Sequence, residues 1–482
     1  MATKDGSTKN TLTTDVVVIG AGPVGENAAD RVIAGGLDAV VVEADLAGGE
    51  CSYLACMPSK ALIRPLTAVH GARAVDGAAQ AVTGTVDVEK IFARRDEFTS
   101  HWDDAGQVEW IEGIGATFLR GRGRISGERE VTVTDSDGAV TVITARHAVV
   151  LATGSTPVTP PIDGLDDVGF WGTREATSAH EVPDRLAVLG GGVAGMELAQ
   201  AFARLGSTVT VIARSGVLAK FPRPAVEVVL DALRDEGITI HENTATTRVD
   251  AGEDGAITVT LHGTEPVVAD RLLVSTGRRP STDDLGLEHA GVQLTERGGL
   301  PEVAPTGQVA GTDWLFAIGD VAGKVLLTHQ GKYEARATGD FIAARAGGTT
   351  PDAGPFSKYA ATADEVAVPQ AVFTDPELTM VGRTAEQARD AGLDVRTVEL
   401  PIAVAGSSLH ADGYTGWAQL VIDTSDDTLA GVTFVGPDVS ELLHSATVAV
   451  AGQVPLSRLW HAVPAYPTIS EVWLRLLEKA GR

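Results

Sequence analysis

Two stretches of this 482-residue sequence share one pattern: a short apolar run, a glycine-rich turn, a helix-like segment and a second apolar run. In the first stretch the apolar runs are 15–19 and 39–42, and Glu43 ends the second run. The turn between them contains Gly20, Gly22 and Gly25. This order predicts a βαβ unit whose glycines let the backbone approach a pyrophosphate at the helix N-terminus. Glu43 then lies where a carboxylate can accept hydrogen bonds from a ribose diol.

The second stretch has its apolar runs at 186–189 and 208–212. Its turn contains Gly190, Gly192 and Gly195. No acidic residue follows the second run, where Ala213 and Arg214 stand and Lys220 comes shortly after. Because cations bind a 2′-phosphate and a carboxylate repels it, this pattern favours NADPH over NADH. The alternative interpretation is that Arg214 and Lys220 are ordinary solvated surface charges.

The only two cysteines of the chain, Cys51 and Cys56, follow the first unit. A helix is predicted to begin at Pro58, since proline is tolerated in the first helical turn. Cys56 then lies near a helix N-terminus, where the dipole favours a thiolate. We interpret the pair as redox-active; the alternative is a structural disulfide, but so short a loop constrains the unfolded chain weakly. Two nucleotide units and a cysteine pair suggest that electrons pass from a hydride donor through a flavin to a disulfide.

Length and composition narrow the class of protein. A chain of 482 residues is expected to form more than one domain. Two cysteines are too few for a secreted disulfide scaffold, and no apolar run is long enough to span a membrane. The formal net charge of −26 argues against a nucleic-acid partner. Because the polar start lacks a signal-peptide pattern, we expect a cytoplasmic protein with no membrane partner, and no metal site is predicted.

Further motifs accompany these features. They are Ala152-Thr153-Gly154, Thr276-Gly277-Arg278, Ile318-Gly319-Asp320, the stretch 373–377 and the stretch 466–471. With the glycine turns and the cysteine stretch they resemble the class I flavoprotein disulfide reductases, a family that includes dihydrolipoamide dehydrogenase, glutathione reductase and mercuric reductase. The resemblance covers nearly the whole chain, from about Thr14 to Glu478.

The resemblance implies FAD and NADP(H) as cofactors and a homodimer with a shared active site. FAD is expected at Gly20, Gly22, Gly25, Glu43, Thr153, Gly154, Asp320 and His329. The pyridine nucleotide is expected at Gly190, Gly192, Gly195, Arg214, Lys220 and Gly277. Cys56 is expected to face the flavin as a charge-transfer thiolate, and Cys51 to attack the substrate. Lys60 is expected to pair with Glu197, in the first turn of its helix, beside the flavin.

The predicted fold class is α/β, with two Rossmann-like domains and a C-terminal α+β domain for dimerisation. Helical spacing predicts two helices between Ile63 and Trp110, and the sequence texture changes at about Glu365. The predicted divisions are a flexible N-terminal arm at 1–13, an FAD-binding domain at 14–160 and 285–360, an NAD(P)H-binding domain at 161–284 and a dimerisation domain at 361–482.

The chain departs from the family pattern near its C-terminus. Members that reduce disulfides carry a histidine acid/base there, and this sequence has Tyr466 at the matching position while Glu471 is retained. A tyrosine hydroxyl is a poorer base than imidazole at neutral pH, although it can donate a proton. His461 lies five residues earlier and is either a substitute base or a histidine at the interface.

The cysteine stretch departs from the pattern as well. Glu50 stands where a threonine is usual, which places a carboxylate next to Cys51 and is expected to raise its thiol pKa. Tyr53 stands where an asparagine is usual, which is expected to bring a bulky ring beside the disulfide.

Together these features predict an FAD-dependent NADPH oxidoreductase. Electrons are expected to reach the Cys51–Cys56 disulfide and then an unknown small-molecule acceptor, an atypical disulfide or another electrophile. The missing histidine speaks against lipoamide and glutathione. Three alternatives stay open: direct reduction of quinones or other electrophiles by the flavin with idle cysteines, dihydrolipoamide dehydrogenase-like activity, and a non-catalytic FAD-binding redox scaffold.

Overall fold

The computed structural model describes residues 10–253 and 255–482. The strands of these residues are β1 (Asn10–Ile19), β2 (Ala39–Glu43), β3 (Thr117–Arg120), β4 (Arg122–Gly127), β5 (Glu130–Thr134), β6 (Val140–Leu151), β7 (Ser155–Pro157), β8 (Arg185–Leu189), β9 (Thr208–Ile212), β10 (Thr239–His241), β11 (Thr246–Ala251), β12 (Ile257–Leu261), β13 (Val267–Ala269), β14 (Arg271–Val274), β15 (Arg278–Pro280), β16 (Leu315–Ala317), β17 (Pro369–Val372), β18 (Glu377–Gly382), β19 (Val395–Pro401), β20 (Trp417–Asp423) and β21 (Thr428–Gly436). The α-helices are α1 (Pro23–Ala34), α2 (Gly49–Tyr53), α3 (Cys56–Arg73), α4 (Val88–Phe98), α5 (Ala105–Gly113), α6 (Thr173–Thr177), α7 (Val193–Leu205), α8 (Arg223–Asp235), α9 (Thr328–Ala346), α10 (Ala363–Val366), α11 (Ala385–Asp390), α12 (Ala405–His410), α13 (Ser440–Ala451), α14 (Leu456–Leu459) and α15 (Val472–Lys479).

The described residues form two compact units. The first contains the chain up to Pro58 together with Asp96–Val158 and Arg278–Asp364, and the second contains Ser59–Arg95, Thr159–Gly277 and Glu365–Arg482. The predicted division into three domains stays a prediction.

The first unit is built on a sheet with β1 near its centre. Its parallel strands lie in the order β3-β2-β1-β6-β16, and β5 and β4 extend it as an antiparallel meander beyond β6. Alternate residues of β1 enter two different cores: Val16 and Val18 pack in one, Val17 and Ile19 in the other. A strand that is buried on both faces explains the continuous apolar run in the sequence.

The predicted N-terminal arm, 1–13, extends into β1, which begins at Asn10. Residues 1–9 lie outside the described residues, but residues 10–13 belong to β1 and pair with residues 141–144 of β6. Leu12 packs against the core of the meander, and the threonines beside it favour extended backbone. A polar-looking sequence therefore continues the strand.

The second unit contains a second parallel sheet of the same topology and an antiparallel sheet. The parallel strands lie in the order β10-β9-β8-β14, and β11, β12 and β13 form a separate antiparallel sheet. The C-terminal part is an antiparallel sheet in the order β17-β18-β21-β20-β19. The predicted fold class, with two Rossmann-like modules and a C-terminal α+β part, is confirmed.

Several predicted helix boundaries are wrong. The helix after the cysteines begins at Cys56, two residues before Pro58, and Cys51 lies in its own short helix, α2. Three α-helices rather than two occupy the stretch from Ile63 to Trp110, because the segments between α3, α4 and α5 do not continue the helical pattern. Glu197 is the fifth residue of α7, so it lies in the second turn rather than the first.

Glu26 is a buried carboxyl group on α1. It is 8% exposed, and its Oε1 has no hydrogen-bond partner within the described residues. Burial raises the pKa of Glu26 to about 7, a rise that the charge of Lys332 opposes and the charge of Glu43 reinforces. Between its normal pKa of 4.5 and about 7, unfolding therefore releases a proton from this group.

Because unfolding releases that proton, the Glu26 carboxyl makes the protein less stable as pH rises from 4.5 to about 7. Glu26→Gln removes the ionisable group, so we expect it to raise the free energy of unfolding by about 2–3 kcal/mol at pH 8 and by little at pH 4.5. Urea unfolding of the FAD-loaded protein at both pH values measures this. Glu112→Gln, at an exposed position of α5, is the matched control. Equal gains at both pH values would contradict the assignment.

Candidate active site

The first glycine turn connects β1 to α1. A Cβ atom at Gly20 would lie 2.3 Å from the carbonyl oxygen of Ala152, and one at Gly25 would lie 1.8 Å from that of Gly20. At Gly22 the nearest atom is the Cα of Gly49, 3.9 Å away. The outer two glycines thus let α1 pack onto β1, and the middle one leaves the helix N-terminus open to a ligand.

Glu43 is held at the edge of this turn. Its Oε2 accepts a hydrogen bond from the Ala21 N–H at 2.7 Å, and its Oε1 accepts one from the Asp45 N–H at 2.8 Å. Each carboxylate oxygen has a second lone pair, so a ribose diol can still donate to this group.

Three more predicted FAD residues lie in the same unit. Thr153 donates from Oγ1 to the Ser281 carbonyl at 2.8 Å, and a Cβ at Gly154 would meet no atom within 4 Å. Asp320 accepts a hydrogen bond from Ser155 Oγ, and burial raises the pKa of its carboxyl group. His329 is the second residue of α9 and is exposed.

These groups fit FAD. The open glycine at a helix N-terminus suits a pyrophosphate, the fixed carboxylate of Glu43 suits a ribose, and the half-buried carboxyl group of Asp320 suits a hydroxyl-bearing chain.

The two cysteines contact each other and a third side chain. Cys51 is the third residue of α2, Cys56 is the first residue of α3, and the two sulfurs are not joined in a disulfide. The Cys56 Sγ lies 3.6 Å from Thr328 Oγ1 at the start of α9. The hydrogen bond with Cys56 raises the pKa of the Cys51 thiol, burial raises it further, and Thr328 and Lys332 oppose the rise. These causes make the Cys51 thiol harder to ionise, while the N-terminus of α3 favours a thiolate at Cys56.

Glu50 and Tyr53 anchor α2, and Glu50 is not among the groups that raise the pKa of Cys51. The Glu50 carboxylate is paired with Arg278, with Oε2 and Nη2 2.5 Å apart, and the rise in the pKa of Cys51 comes chiefly from Cys56 and from burial. The Tyr53 ring is 4% exposed and packs against Gly48, and burial raises the pKa of its hydroxyl. The ring is therefore a core anchor of the helix.

In the second unit, Lys60 is paired with Glu197. Lys60 Nζ lies 2.5 Å from Glu197 Oε2, and the Glu197 side chain is 3% exposed. The other carboxylate oxygen accepts a hydrogen bond from the Phe373 N–H at 2.9 Å, and Lys60 Nζ lies 4.9 Å from the centroid of the Phe373 ring. A buried carboxylate thus holds the ammonium group in one place.

The second glycine turn repeats the geometry of the first. A Cβ at Gly190 would lie 2.4 Å from the Ser275 carbonyl oxygen, and one at Gly195 would lie 2.4 Å from the Gly190 carbonyl oxygen. At Gly192 and Gly277 a Cβ would meet no atom within 4 Å. This turn is therefore a second open site at a helix N-terminus.

Arg214 and Lys220 lie on the loop that packs against this turn. Leu218, on the same loop, donates its N–H to the Gly191 carbonyl at 2.8 Å. Both cations are exposed, and no carboxylate pairs with either among the residues described. Arg223, which follows them, is paired with Glu227 and Glu242, and it lowers the pKa of Glu242 to about 2.

The C-terminal motif does not join its predicted residues within one chain. Glu471 Oε1 accepts hydrogen bonds from the N–H groups of Gly406 and Thr468, both at 3.2 Å. The Tyr466 side chain is 78% exposed, and His461 is also exposed. Glu471 therefore orders the loop, and the Tyr466 hydroxyl is available to another molecule.

Within residues 10–253 and 255–482, none of the helices combines the length and the apolar character that crossing a bilayer requires.

Comparison with known families identifies the chain. A model described as pyridine nucleotide-disulphide oxidoreductase matches residues 14–335, and the dimerisation domain of that family matches residues 368–476. The chain belongs to this family. The family binds FAD and a pyridine nucleotide, and the dimerisation domain supports a homodimer.

Similar proteins carry different names. A dihydrolipoyl dehydrogenase of Thermus scotoductus is 34% identical over 470 residues, which are 95% of each chain. A mercuric reductase of Acidithiobacillus ferrooxidans is 33% identical over 460 residues, 95% of this chain and 80% of the relative. Among solved structures, the flavoprotein disulfide reductase RclA of Escherichia coli has a TM-score of 0.82 at 24% identity, covering 97% of this chain and 99% of its own. That likeness supports the fold alone.

Three contributors to the site are not predicted from the sequence. They are Arg278, which belongs to one of the motifs, and Thr328 and Ser155. A threonine that begins a helix is a signal that the sequence offers, but the contact between Thr328 and Cys56 depends on tertiary packing.

Glycines at which a Cβ would clash with the backbone and glycines at which it would not are expected to have different effects when they are replaced by alanine. Gly195→Ala places a methyl group 2.4 Å from a carbonyl oxygen, so we expect a loss of stability of about 1–3 kcal/mol. Gly192→Ala meets no protein atom, and its φ of −81° suits alanine, so stability is expected to stay unchanged while nucleotide affinity falls about ten-fold. Thermal unfolding and NADPH titration measure the two effects. Equal destabilisation by both substitutions would contradict the open-turn assignment.

Proposed function

We propose that this protein is an FAD-dependent NADPH oxidoreductase that reduces its own Cys51–Cys56 disulfide and passes the electrons to a small-molecule acceptor. The observation that carries the proposal is the cysteine pair: two thiols that hydrogen-bond to each other, at a helix N-terminus and beside Thr328. In one cycle NADPH and a proton convert the disulfide into two thiols, and the acceptor takes up the two electrons. Bound FAD supplies the step between hydride and disulfide.

The two thiols have different roles in this proposal. Cys56 is the thiolate, because it begins α3 and accepts a hydrogen bond from the Cys51 thiol. Cys51 is the interchange thiol, and its raised pKa means that a base must take its proton before it attacks an acceptor. Lys60, fixed by Glu197, provides a positive charge at the flavin as the family resemblance implies.

The acceptor is inferred from the missing histidine base. Tyr466 replaces that histidine, and Oε1 of Glu471 accepts hydrogen bonds from two backbone N–H groups of its own chain. We therefore infer that lipoamide and glutathione disulfide are poor acceptors, although one similar protein is named dihydrolipoyl dehydrogenase. Quinones, metal ions and atypical disulfides are the better candidates, and a screen with NADPH as donor ranks them.

Direct reduction by the flavin is the second candidate function. It is favoured by the raised pKa of Cys51, which makes this thiol a weak nucleophile at neutral pH. In that case the cysteines are idle and the acceptor reacts at the flavin. A non-catalytic scaffold is distinguished from both by anaerobic NADPH titration, since its flavin stays oxidised.

The two routes predict different results for cysteine variants. If electrons pass through the pair, Cys51→Ser abolishes turnover of the preferred acceptor but leaves the reduction of FAD by NADPH intact. Stopped-flow absorbance separates these half-reactions, and Ser52→Ala is the neighbouring control. Unchanged acceptor turnover in both Cys51→Ser and Cys56→Ser would favour the direct route.

NADPH preference is proposed from Arg214 and Lys220. Both are exposed on a loop that touches the second glycine turn, and neither is paired with a carboxylate in the part of the chain that the structure describes, so both are able to bind a 2′-phosphate.

Arg214→Glu replaces an attracting charge by a repelling one and is expected to raise the KM for NADPH by about ten-fold or more, while the KM for NADH changes little. Steady-state rates with both donors measure the ratio. Arg389→Glu makes the same charge change at an exposed position of α11 and serves as control. A parallel rise in both KM values would rule out the 2′-phosphate role.

A further inference from the structure

Glu50 directly precedes Cys51, and its side chain points into the first unit. Its Oε2 lies 2.5 Å from Nη2 of Arg278, and the two side chains are 24% and 28% exposed. An arginine–carboxylate pair that is largely shielded from water is a stronger restraint than a surface pair. It connects α2, which carries Cys51, to the first residue of β15.

Arg278 also holds Ser155. Its Nε donates to Ser155 Oγ at 2.7 Å, and Nη2 donates to the Ser155 carbonyl oxygen at 2.6 Å. Ser155 Oγ in turn donates to Oδ2 of Asp320. The polar chain therefore runs from the residue before Cys51 to the carboxylate at which FAD is expected.

Arg278 is a counter-charge for two carboxylates. Burial is the main cause that raises the pKa of Asp320, and the charge of Glu50 raises it as well. The hydrogen bond from Ser155 and the charge of Arg278 lower it. Without Arg278, Asp320 is easier to protonate, and a protonated carboxyl group loses part of its capacity to accept hydrogen bonds.

We propose that Glu50 and Arg278 are positioning residues that fix Cys51 relative to the FAD-binding carboxylate of Asp320. This inference rests on the proposed function, in which Cys51 belongs to the redox pair and Asp320 binds FAD. Glu50 thus acts through the polar network that it shares with Arg278. Because its negative charge is paired with Arg278, it does not oppose ionisation of the Cys51 thiol.

The FAD side of the network is tested with two neighbouring arginines. Arg278→Met is expected to raise the dissociation constant for FAD about ten-fold, because Asp320 loses its counter-charge and Ser155 loses its anchor. Arg279→Met is the matched control, since Arg279 is the next residue of β15 and pairs with Asp283. Titration of FAD into the apoprotein gives both constants. Arg278→Lys keeps the positive charge but lacks the several N–H donors of a guanidinium group, so it is expected to give an intermediate dissociation constant for FAD. This variant still tests the proposal if Arg278→Met does not fold.

The cysteine side is tested through the pH dependence of Cys51. Glu50→Gln removes the charge that pairs with Arg278 and so loosens the connection between α2 and β15, and we expect the pH profile of Cys51 alkylation to shift. The pH profile of iodoacetamide reaction with the NADPH-reduced holoenzyme, read by peptide mapping of Cys51, measures that shift. Arg279→Met is expected to leave the profile unchanged.

Three outcomes decide the proposal. A weaker FAD affinity in Arg278→Met together with a shifted Cys51 profile in Glu50→Gln supports it. Variants that match Arg279→Met in both measurements overturn it, and so does a change in FAD affinity without any change at Cys51. The proposed function fails separately, when the unaltered protein binds no FAD or NADPH does not reduce it.

Discussion

The close contact between helix and strand at Gly25 and Gly195 is the constraint on which both nucleotide modules depend. At each position a side chain would collide with the carbonyl oxygen of the first glycine of the turn. Only without a Cβ can α1 and α7 begin directly at the ends of β1 and β8. The same approach aims the free N–H groups of each helix at one small space, where an anionic cofactor is stabilised by the helix dipole.

The sequence was a good guide wherever a local rule decides the structure. Strand, turn and helix order around Gly20 and Gly190 follows from apolar runs and glycines, and both sheets have the predicted parallel order. It was a poor guide where tertiary contacts decide. Residues 10–13 have the polar sequence of an arm, but they extend β1. They pair with β6, and Leu12 packs against a hydrophobic core.

The residues of the candidate site also fall into those that the sequence predicts and those that depend on tertiary contacts. Cys51, Cys56 and the pair Lys60–Glu197 could be named from spacing and family resemblance. The behaviour of Glu50 could not, because its effect depends on Arg278, more than 220 residues away in the chain. A charge next to a thiol in sequence acts on it only if no closer partner neutralises that charge, and sequence distance carries no information about such a partner.

Because the chain is rich in carboxylates, the positions of Arg214 and Lys220 are informative. With 64 acidic and 38 basic residues, carboxylates are abundant, and arginines such as Arg204 and Arg223 are paired with them. Arg214 and Lys220 have no such carboxylate among the residues described, although Glu242 lies near on the same module and is occupied by Arg223. Cations left unpaired in such surroundings, beside an open glycine turn, are suited to an anionic ligand.

In the proposed function, the class of acceptor that the protein can reduce depends on where the proton of Cys51 can go. The hydrogen bond with Cys56 raises the pKa of the Cys51 thiol, and Glu471 Oε1 accepts hydrogen bonds from the N–H groups of Gly406 and Thr468. Tyr466 is exposed and free to approach another subunit, but its hydroxyl is better suited to donate a proton than to remove one. A thiol that stays protonated attacks ordinary disulfides slowly, whereas an acceptor that takes electrons and then needs a proton benefits from the same arrangement. In the proposed function, the missing histidine base and the raised pKa of Cys51 therefore argue against acceptors that require attack by a Cys51 thiolate, such as lipoamide and glutathione disulfide.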